Sequence, residues 1–174
     1  NIPIVSEDNY RGGYLLGEYL IANQANKLLM LRNDDSSNSP TKKRYQGFTD
    51  AVAEHADLKI KNFNSSNVAT ENEIKEIVDF ISTEKIDGIF AYNDIMAIQL
   101  QNALRSANIK VPENVIVVGY DGSPIVQLLH PDLPTIIQPI KLAAQRLIET
   151  LFNEINNQEP IIFDVLPVTL HTPK

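Results

Sequence analysis

The stretch IDGIFAYNDIMAIQLQNALRSANIKVPENVIVVGYDG, residues 86–122, decides the fold. It contains two short apolar runs of the buried-strand type, residues 86–91 and 115–118, separated by a segment with the apolar spacing of a helix. A strand, a helix and a second strand form the repeating unit of a parallel sheet, because parallel strands need a crossover connection. We expect Asn93 or Asp94 to cap this helix, which ends near Ala107.

Similar units extend the pattern toward both ends of the chain. Tyr45, Phe48 and Val52 have the spacing of one buried helix face, and Thr70 begins a capping box. Ser123 precedes a short helix, and Pro139 opens a long one. The predicted strands are residues 2–5, 27–31, 58–63, 86–91, 115–118, 161–165 and 168–170. This alternation predicts an α/β fold, a parallel sheet with helices on both faces.

Composition excludes several classes of protein. The 174 residues are enough for one domain with a core, and no apolar run approaches the eighteen residues of a membrane span. The absence of cysteine excludes disulfides and thiolate chemistry. A net charge of −7 repels phosphate backbones, so we do not expect this chain to bind DNA itself.

Catalytic signatures are missing from the sequence. It contains no G-x-S-x-G, H-E-x-x-H, G-x-x-x-x-G-K or G-x-G-x-x-G motif. The three histidines, His55, His130 and His171, lie in unrelated contexts. We therefore expect no enzymatic activity, no metal site and no cofactor.

Polar residues directly after predicted strands are the best candidates for a binding site, because ligands of parallel sheets bind beyond the carboxyl ends of the strands. Asn93 and Asp121 hold such positions, and Arg44 follows a polar loop at residues 33–40. A carboxylate, an amide and a guanidinium suit a polyol. Each of these three residues also has an interpretation without a ligand. Asn93 is then only a helix cap, Asp121 with Gly122 only a turn, and Arg44 only a solvated helix residue. The length of the loop at residues 33–40 is compatible both with contact to a ligand and with a connection that binds nothing.

Several motifs resemble the effector domain of the lactose/galactose-repressor family, and they keep the family's order over nearly the whole chain. They are DNYRGGY (residues 8–14), RYQGF (44–48), FAYNDIMAI (90–98), IKVPENV (109–115), VGYDG (118–122) and LHPDLPTIIQP (129–139).

The resemblance implies a periplasmic-binding-protein-like fold of two lobes with a sugar or another small effector between them. Arg44, Asn93 and Asp121 match the family residues that point into the cleft. Asp8 matches a position near the hinge, and Phe63 is the candidate for an aromatic that stacks on the ligand.

The resemblance also predicts a domain organisation. Residues 10–135 match the second lobe, 136–158 match a helix that crosses to a first lobe mostly absent from this sequence, and 159–174 match the C-terminal strands. The DNA-binding headpiece is likewise absent, so we expect a partial effector-binding domain. Its crossover helix carries an apolar stripe that the first lobe would cover: Ile140, Ala143, Leu147, Leu151 and Ile155.

Self-association is the remaining family property. By resemblance, Leu100 and Leu129 are expected at a homodimer interface, and the alternative is that both belong to the core.

The function implied is that of a cytoplasmic, sugar-responsive transcriptional repressor. Its partners would be a sugar or sugar phosphate, a second copy of itself, and operator DNA only through the headpiece, with no membrane partner. GYDGS, residues 119–123, is similar to sucrose-operon repressors within the family. The alternative is a solute-binding protein of a sugar transporter, a class of protein that has the same fold. The sequences PEN (residues 112–114) and HPDL (130–133) resemble repressors rather than solute-binding proteins.

Overall fold

A computed structural model describes residues 4–32, 40–65, 69–156, 158 and 163–173. Its helices and strands, in chain order, are β1 (Ile4–Glu7), α1 (Asn9–Ala22), β2 (Lys27–Arg32), α2 (Pro40–Ala53), β3 (Lys59–Asn64), α3 (Glu71–Glu84), β4 (Gly88–Phe90), α4 (Asp94–Ser106), β5 (Ile116–Val118), α5 (Pro124–Leu129), β6 (Thr135–Ile137), α6 (Ile140–Ile155), β7 (Phe163–Leu166) and β8 (Thr169–His171).

The central sheet has four parallel strands in the order β3-β2-β4-β5. Residues 28–31 of β2 are buried because this strand lies between two neighbours and is covered on both faces. The chain adds β3 on one side of β2 and then returns to add β4 on the other. This reversal between β2 and β4 creates a crevice beyond their carboxyl ends, the position where open parallel sheets bind ligands.

Helices cover both faces of the sheet, which confirms the predicted fold class. Right-handed crossovers place α2 on one face and α3 with α4 on the other. Helix α1 packs closely on α2 at two glycines: a Cβ on Gly13 would overlap the carbonyl of Arg44, and one on Gly47 would overlap the carbonyl of Tyr10. This close approach holds the start of α2 against α1.

Two small sheets complete the fold. β1 pairs in parallel with β7, and β6 pairs antiparallel with β8. The sequence analysis did not predict β6, because only three of its residues pair with β8 and prolines lie close to both of its ends. Residues 4 and 5 of the predicted first strand lie in β1, and its residues 2 and 3 lie outside the described residues, as do residues 161 and 162 of the strand predicted at residues 161–165.

Helix α6 differs from the other long helices, because its apolar side chains face outward. Ile140, Leu147, Leu151 and Ile155 of the predicted stripe are all more than half exposed, and Phe152 is 58% exposed beside them. Nothing among the described residues covers this surface, which we call the α6 face. None of the described helices is long and apolar enough to cross a membrane.

Candidate functional site

A turn at the carboxyl end of β5 carries Asp121. Its backbone φ of 127° is unusual for a residue with a side chain, and Gly122 follows with φ 58°. The buried carboxylate of Asp94 holds this turn, since its Oδ2 accepts a hydrogen bond from the Gly122 amide at 2.8 Å. Its Oδ1 accepts another from the Thr135 hydroxyl at 2.5 Å. The turn is therefore fixed from the first residue of α4 and from β6.

Burial raises the pKa of the Asp94 carboxyl, and the hydrogen bonds from Thr135 and Gly122 oppose that rise. A carboxyl group that is 2% exposed and committed to two donors is not available to a ligand. We therefore assign Asp94 a positioning role rather than a binding one.

Arg44 lies over the ring of Tyr120, with its guanidinium carbon 3.7 Å from the ring centre. Its Nε donates to Oδ1 of Asn9 at 2.8 Å, and its Nη1 donates to the carbonyl of Tyr92 at 3.4 Å. The same Nη1 lies 3.7 Å from Oδ1 of Asp121, and the Arg44 side chain is only 12% exposed. Arg44 is thus held in one place and is not the solvated helix residue of the alternative reading.

Asp121 is oriented by a second partner, Gln138, whose Nε2 donates to Oδ1 at 2.7 Å. The Asp121 side chain is 44% exposed, so the carboxylate still faces open space. Its pKa is raised to about 6, first by burial and then by the charges of Asp94 and Glu7, while Arg44 and Gln138 act in the opposite direction. At neutral pH the group is ionised and remains a hydrogen-bond acceptor.

Asn93 caps α4, because its Oδ1 accepts a hydrogen bond from the Met96 amide at 2.8 Å. The capping interpretation is therefore confirmed for the amide oxygen. The cap leaves the amide nitrogen as a donor for other partners, and the residue is half-buried beside Tyr92. A cap and a ligand contact use different atoms of this side chain.

Asp8 lies at the amino end of α1, where its side chain accepts from the Arg11 amide at 2.9 Å. Its backbone amide donates to the carbonyl of Leu166 on β7 at 2.8 Å, so it joins the helix to the small sheet. Its charge also contributes to raising the pKa of the buried Tyr120 hydroxyl, after burial itself. Asp8 is thus near the cluster around Arg44.

Phe63 has a packing contact inside the fold. Its ring meets that of Phe80 on α3 edge-on, with centres 5.9 Å apart and planes at 64°. No described contact joins Phe63 to the cluster around Arg44, so stacking on a ligand stays a prediction. The polar loop expected at residues 33–40 lies outside the described residues except for Pro40.

Four residues of the cluster were not found from the sequence. Asn9, which is 1% exposed, orients Arg44, and Gln138 orients Asp121. Asp94 and Thr135 hold the turn. All four residues lie inside the motifs quoted above, but only the folded chain shows where their side chains point.

Leu100 is a correction. It is fully buried in the core, on the face of α4 that packs inward, so it cannot form an intermolecular interface. Leu129 is 64% exposed, as the interface prediction requires. Leu129 is one of four exposed apolar side chains on α4 and α5, which we call the α4–α5 patch: Ile95, Ile125, Leu128 and Leu129.

The segment that carries three of the four patch residues is attached to α4 at two points. The segment 122–132 is attached near one end of α4 by the Asp94–Gly122 hydrogen bond, and near the other by an ion pair of 3.1 Å between Arg105 and Asp132. The segment therefore runs along α4, and its apolar side chains face solvent.

Within the described part of the chain, no group of three His, Asp or Glu side chains is arranged for a metal ion.

An oriented carboxylate, guanidinium and amide at the switch point of a parallel α/β sheet are typical of domains that bind small polar molecules. Comparison with known proteins agrees with this class. The periplasmic binding protein-like domain family matches residues 18–172. The chain belongs to this family, among the effector-binding domains of lactose/galactose-type repressors.

The similarity extends over nearly the whole chain. The sucrose operon repressor of Streptococcus mutans is 36% identical over 98% of this chain and 52% of its own length. A periplasmic binding protein/LacI transcriptional regulator from Alkaliphilus metalliredigens, solved with D-xylulofuranose, is 33% identical with a TM-score of 0.82, covering 98% of this chain and 64% of that one. A periplasmic solute-binding protein from Actinobacillus succinogenes, solved with D-allose, is 28% identical with a TM-score of 0.84, covering 99% and 61%. The chain spans about half the length of the repressor.

Proposed function

We propose that this chain is a partial effector-binding domain, mainly the second lobe, of a cytoplasmic, sugar-responsive transcriptional repressor. The observation that carries the proposal is the fixed pair of Arg44 and Asp121 beside Asn93 at the switch point of the sheet. The domain has no catalytic step to perform: it converts the presence of a sugar into a preferred arrangement of two lobes.

The cluster has the chemistry that a sugar requires. The Asp121 carboxylate accepts hydrogen bonds from hydroxyl groups, and the Arg44 guanidinium donates to hydroxyl or ring oxygens. The amide nitrogen of Asn93 supplies a further donor. Because Gln138 and Asn9 already hold the two charged groups in place, binding a sugar costs little side-chain ordering.

The α6 face supports the division into lobes, with residues 10–135 as the second lobe and 136–158 crossing to the first. Because each large side chain of that face is only a little more than half exposed, covering it completely would gain about 1–2 kcal/mol. A first lobe contributed by the rest of the protein would cover the face and close the ligand cleft from the other side. The Streptococcus mutans relative, of which this chain covers about half, has enough additional length for such a lobe.

The α4–α5 patch supports a homodimer. Exposed apolar side chains grouped on one surface are typical of an interface between subunits. Operator binding is assigned to a headpiece elsewhere in the protein, because a net charge of −7 disfavours contact between this domain and DNA.

The second candidate is a transporter solute-binding protein, and the observation in its favour is the fold shared with the Actinobacillus succinogenes protein. The chain is 36% identical to the Streptococcus mutans repressor and 28% identical to the solute-binding protein over nearly the same span, which favours the repressor. Because that relative is a sucrose operon repressor, sucrose is the first sugar to test.

The test is calorimetric titration of the full-length protein with sucrose, ribose, allose, xylulose and their phosphates. Asp121→Ala is expected to weaken the best sugar by about 10- to 150-fold, as for hydrogen bonds lost from a charged group. Arg44→Ala and Asn93→Ser are expected to weaken it as well, and serine keeps a capping oxygen on α4. Asp79→Ala, on the exposed surface of α3, is the control. Unchanged affinity in all three site variants would refute the assignment.

A further inference from the structure

A cavity of about 160 Å³ lies away from the Arg44 cluster, beside the edge strand β5. Tyr19 of α1 and Asn23, directly after the helix, form one side, and Gln101 and Arg105 of α4 form another. The effector cluster lies beyond the end of β5, whereas this cavity lies against its first residues and shares none of the side chains described above for sugar binding. We call it the α1–α4 cavity.

The side chain of Gln101 gives the cavity an unused polar group. Gln101 is 2% exposed, and its amide oxygen has no hydrogen-bond partner in the described parts of the chain. A buried amide oxygen without a donor costs free energy, and native proteins retain few of them. A molecule in the cavity that donates one hydrogen bond would remove that cost.

Two further polar groups stand near it. Asn23 uses its amide nitrogen to donate to the carbonyl of Tyr19 at 2.8 Å, which leaves its amide oxygen as an acceptor. Burial raises the pKa of the Tyr19 hydroxyl, so this group is neutral and both donates and accepts. The polar groups of the cavity therefore suit a hydroxyl or an N–H group.

The charges at the cavity cancel. Arg105 and Asp132 both line it and pair with each other at 3.1 Å. The remaining wall is apolar and includes Val111, Val117 and Pro134. An ionised ligand would lose hydration without gaining a free counter-charge, so the cavity favours an uncharged molecule.

We propose that the α1–α4 cavity is a second binding site, which takes an uncharged molecule with a single six-membered ring and one hydroxyl or N–H donor. The size follows from the volume, because an apolar protein cavity of roughly 150 Å³ holds benzene. The donor follows from Gln101, and the ring from the apolar wall. Phenol has this size and chemistry and is the probe.

The experiment is ligand-observed NMR titration of the full-length protein with phenol, and with benzene as the probe that lacks the donor. Phenol is expected to bind with a Kd on the order of 1 mM and about tenfold more tightly than benzene. Gln101→Leu removes the amide and is expected to abolish that preference. Gln46→Leu, the same change at an exposed position of α2, is the control and is expected to keep it.

Two further variants separate the proposal from loss of folding and from the effector site. Val111 is half-buried, so Val111→Phe is expected to fill the cavity and eliminate phenol binding while the circular dichroism spectrum stays unchanged. Asp121→Ala is expected to leave phenol binding intact, because it changes only the sugar cluster. Equal affinity for phenol and benzene, unchanged phenol affinity in Gln101→Leu or in Val111→Phe, or loss of phenol binding in Asp121→Ala would overturn the proposal.

Discussion

Replacing Asp121 by asparagine is expected to stabilise the fold, although the same residue is central to the proposed sugar site. The carboxyl has an ordinary pKa of 3.8, and in the folded protein its pKa is raised to about 6, mainly by burial. A raised carboxyl pKa means that the folded state holds the proton more strongly than the unfolded state. Folding is therefore penalised once the group is ionised, even with Arg44 nearby.

The size of this penalty follows from the two pKa values. The difference between 3.8 and about 6 corresponds to about 3 kcal/mol at neutral pH. Because 44% of the side chain is exposed, water screens the charge, and we expect only about 1 kcal/mol. Asparagine removes the charge while its Oδ1 still accepts from Gln138, so Asp121→Asn should gain that amount.

Urea unfolding at a series of pH values measures this gain. The penalty is absent only well below pH 3.8, where both states are protonated, and it is nearly complete above about pH 6.5. The stability advantage of Asp121→Asn should therefore be near zero at about pH 3, rise between about pH 3.5 and about pH 6.5, and stay constant to about pH 8. Asp79→Asn on the surface of α3 is the matched control. A less stable Asp121→Asn protein at pH 7.5, or an advantage that does not change with pH, would refute the reasoning.

Three other outcomes are expected. Leu100→Ala should cost about 2–5 kcal/mol in urea unfolding because it empties a core position, whereas Leu129→Asp should change stability by less than about 0.5 kcal/mol and raise the dimer dissociation constant in sedimentation. Equal effects of the two on dimerisation would contradict the assignment of Leu100 to the core. Thr135→Val should cost about 1–3 kcal/mol, since it leaves the buried Asp94 without one donor; unchanged stability would count against that role. Sugar affinity measured by calorimetry should fall about tenfold from pH 7.5 to pH 5 as Asp121 gains a proton, and a flat profile would show that the carboxylate is not needed.

The sequence was informative wherever a local pattern determines the local structure. The apolar runs at residues 27–31 and 115–118 became β2 and β5, and the capping positions Thr70 and Ser123 begin α3 and α5 as expected. Strand β6 was not predicted from such local patterns. It pairs with β8, which lies more than thirty residues later in the chain, and no local pattern reveals that partner.

The site shows the same division. Residue type and position made Arg44, Asn93 and Asp121 candidates, because the ends of parallel strands converge at one edge, and the family resemblance then singled them out. They did not reveal that Asn9 and Gln138 orient the two charged groups, since each contact joins residues at least 17 positions apart.

The sequence by itself therefore determined the α/β class and the family, and it nominated Arg44, Asn93 and Asp121 as binding residues, because these inferences depend on periodicity, on turn chemistry and on motifs in the family's order. Only the tertiary structure decided that Leu100 belongs to the core while Leu129 faces solvent, and that the carboxylate of Asp94 turns inward while that of Asp121 turns toward solvent. A leucine or an aspartate has the same side chain whether it lies in the core or at the surface. Which way each one points is set by the packing of distant segments, and packing is a property of the folded chain.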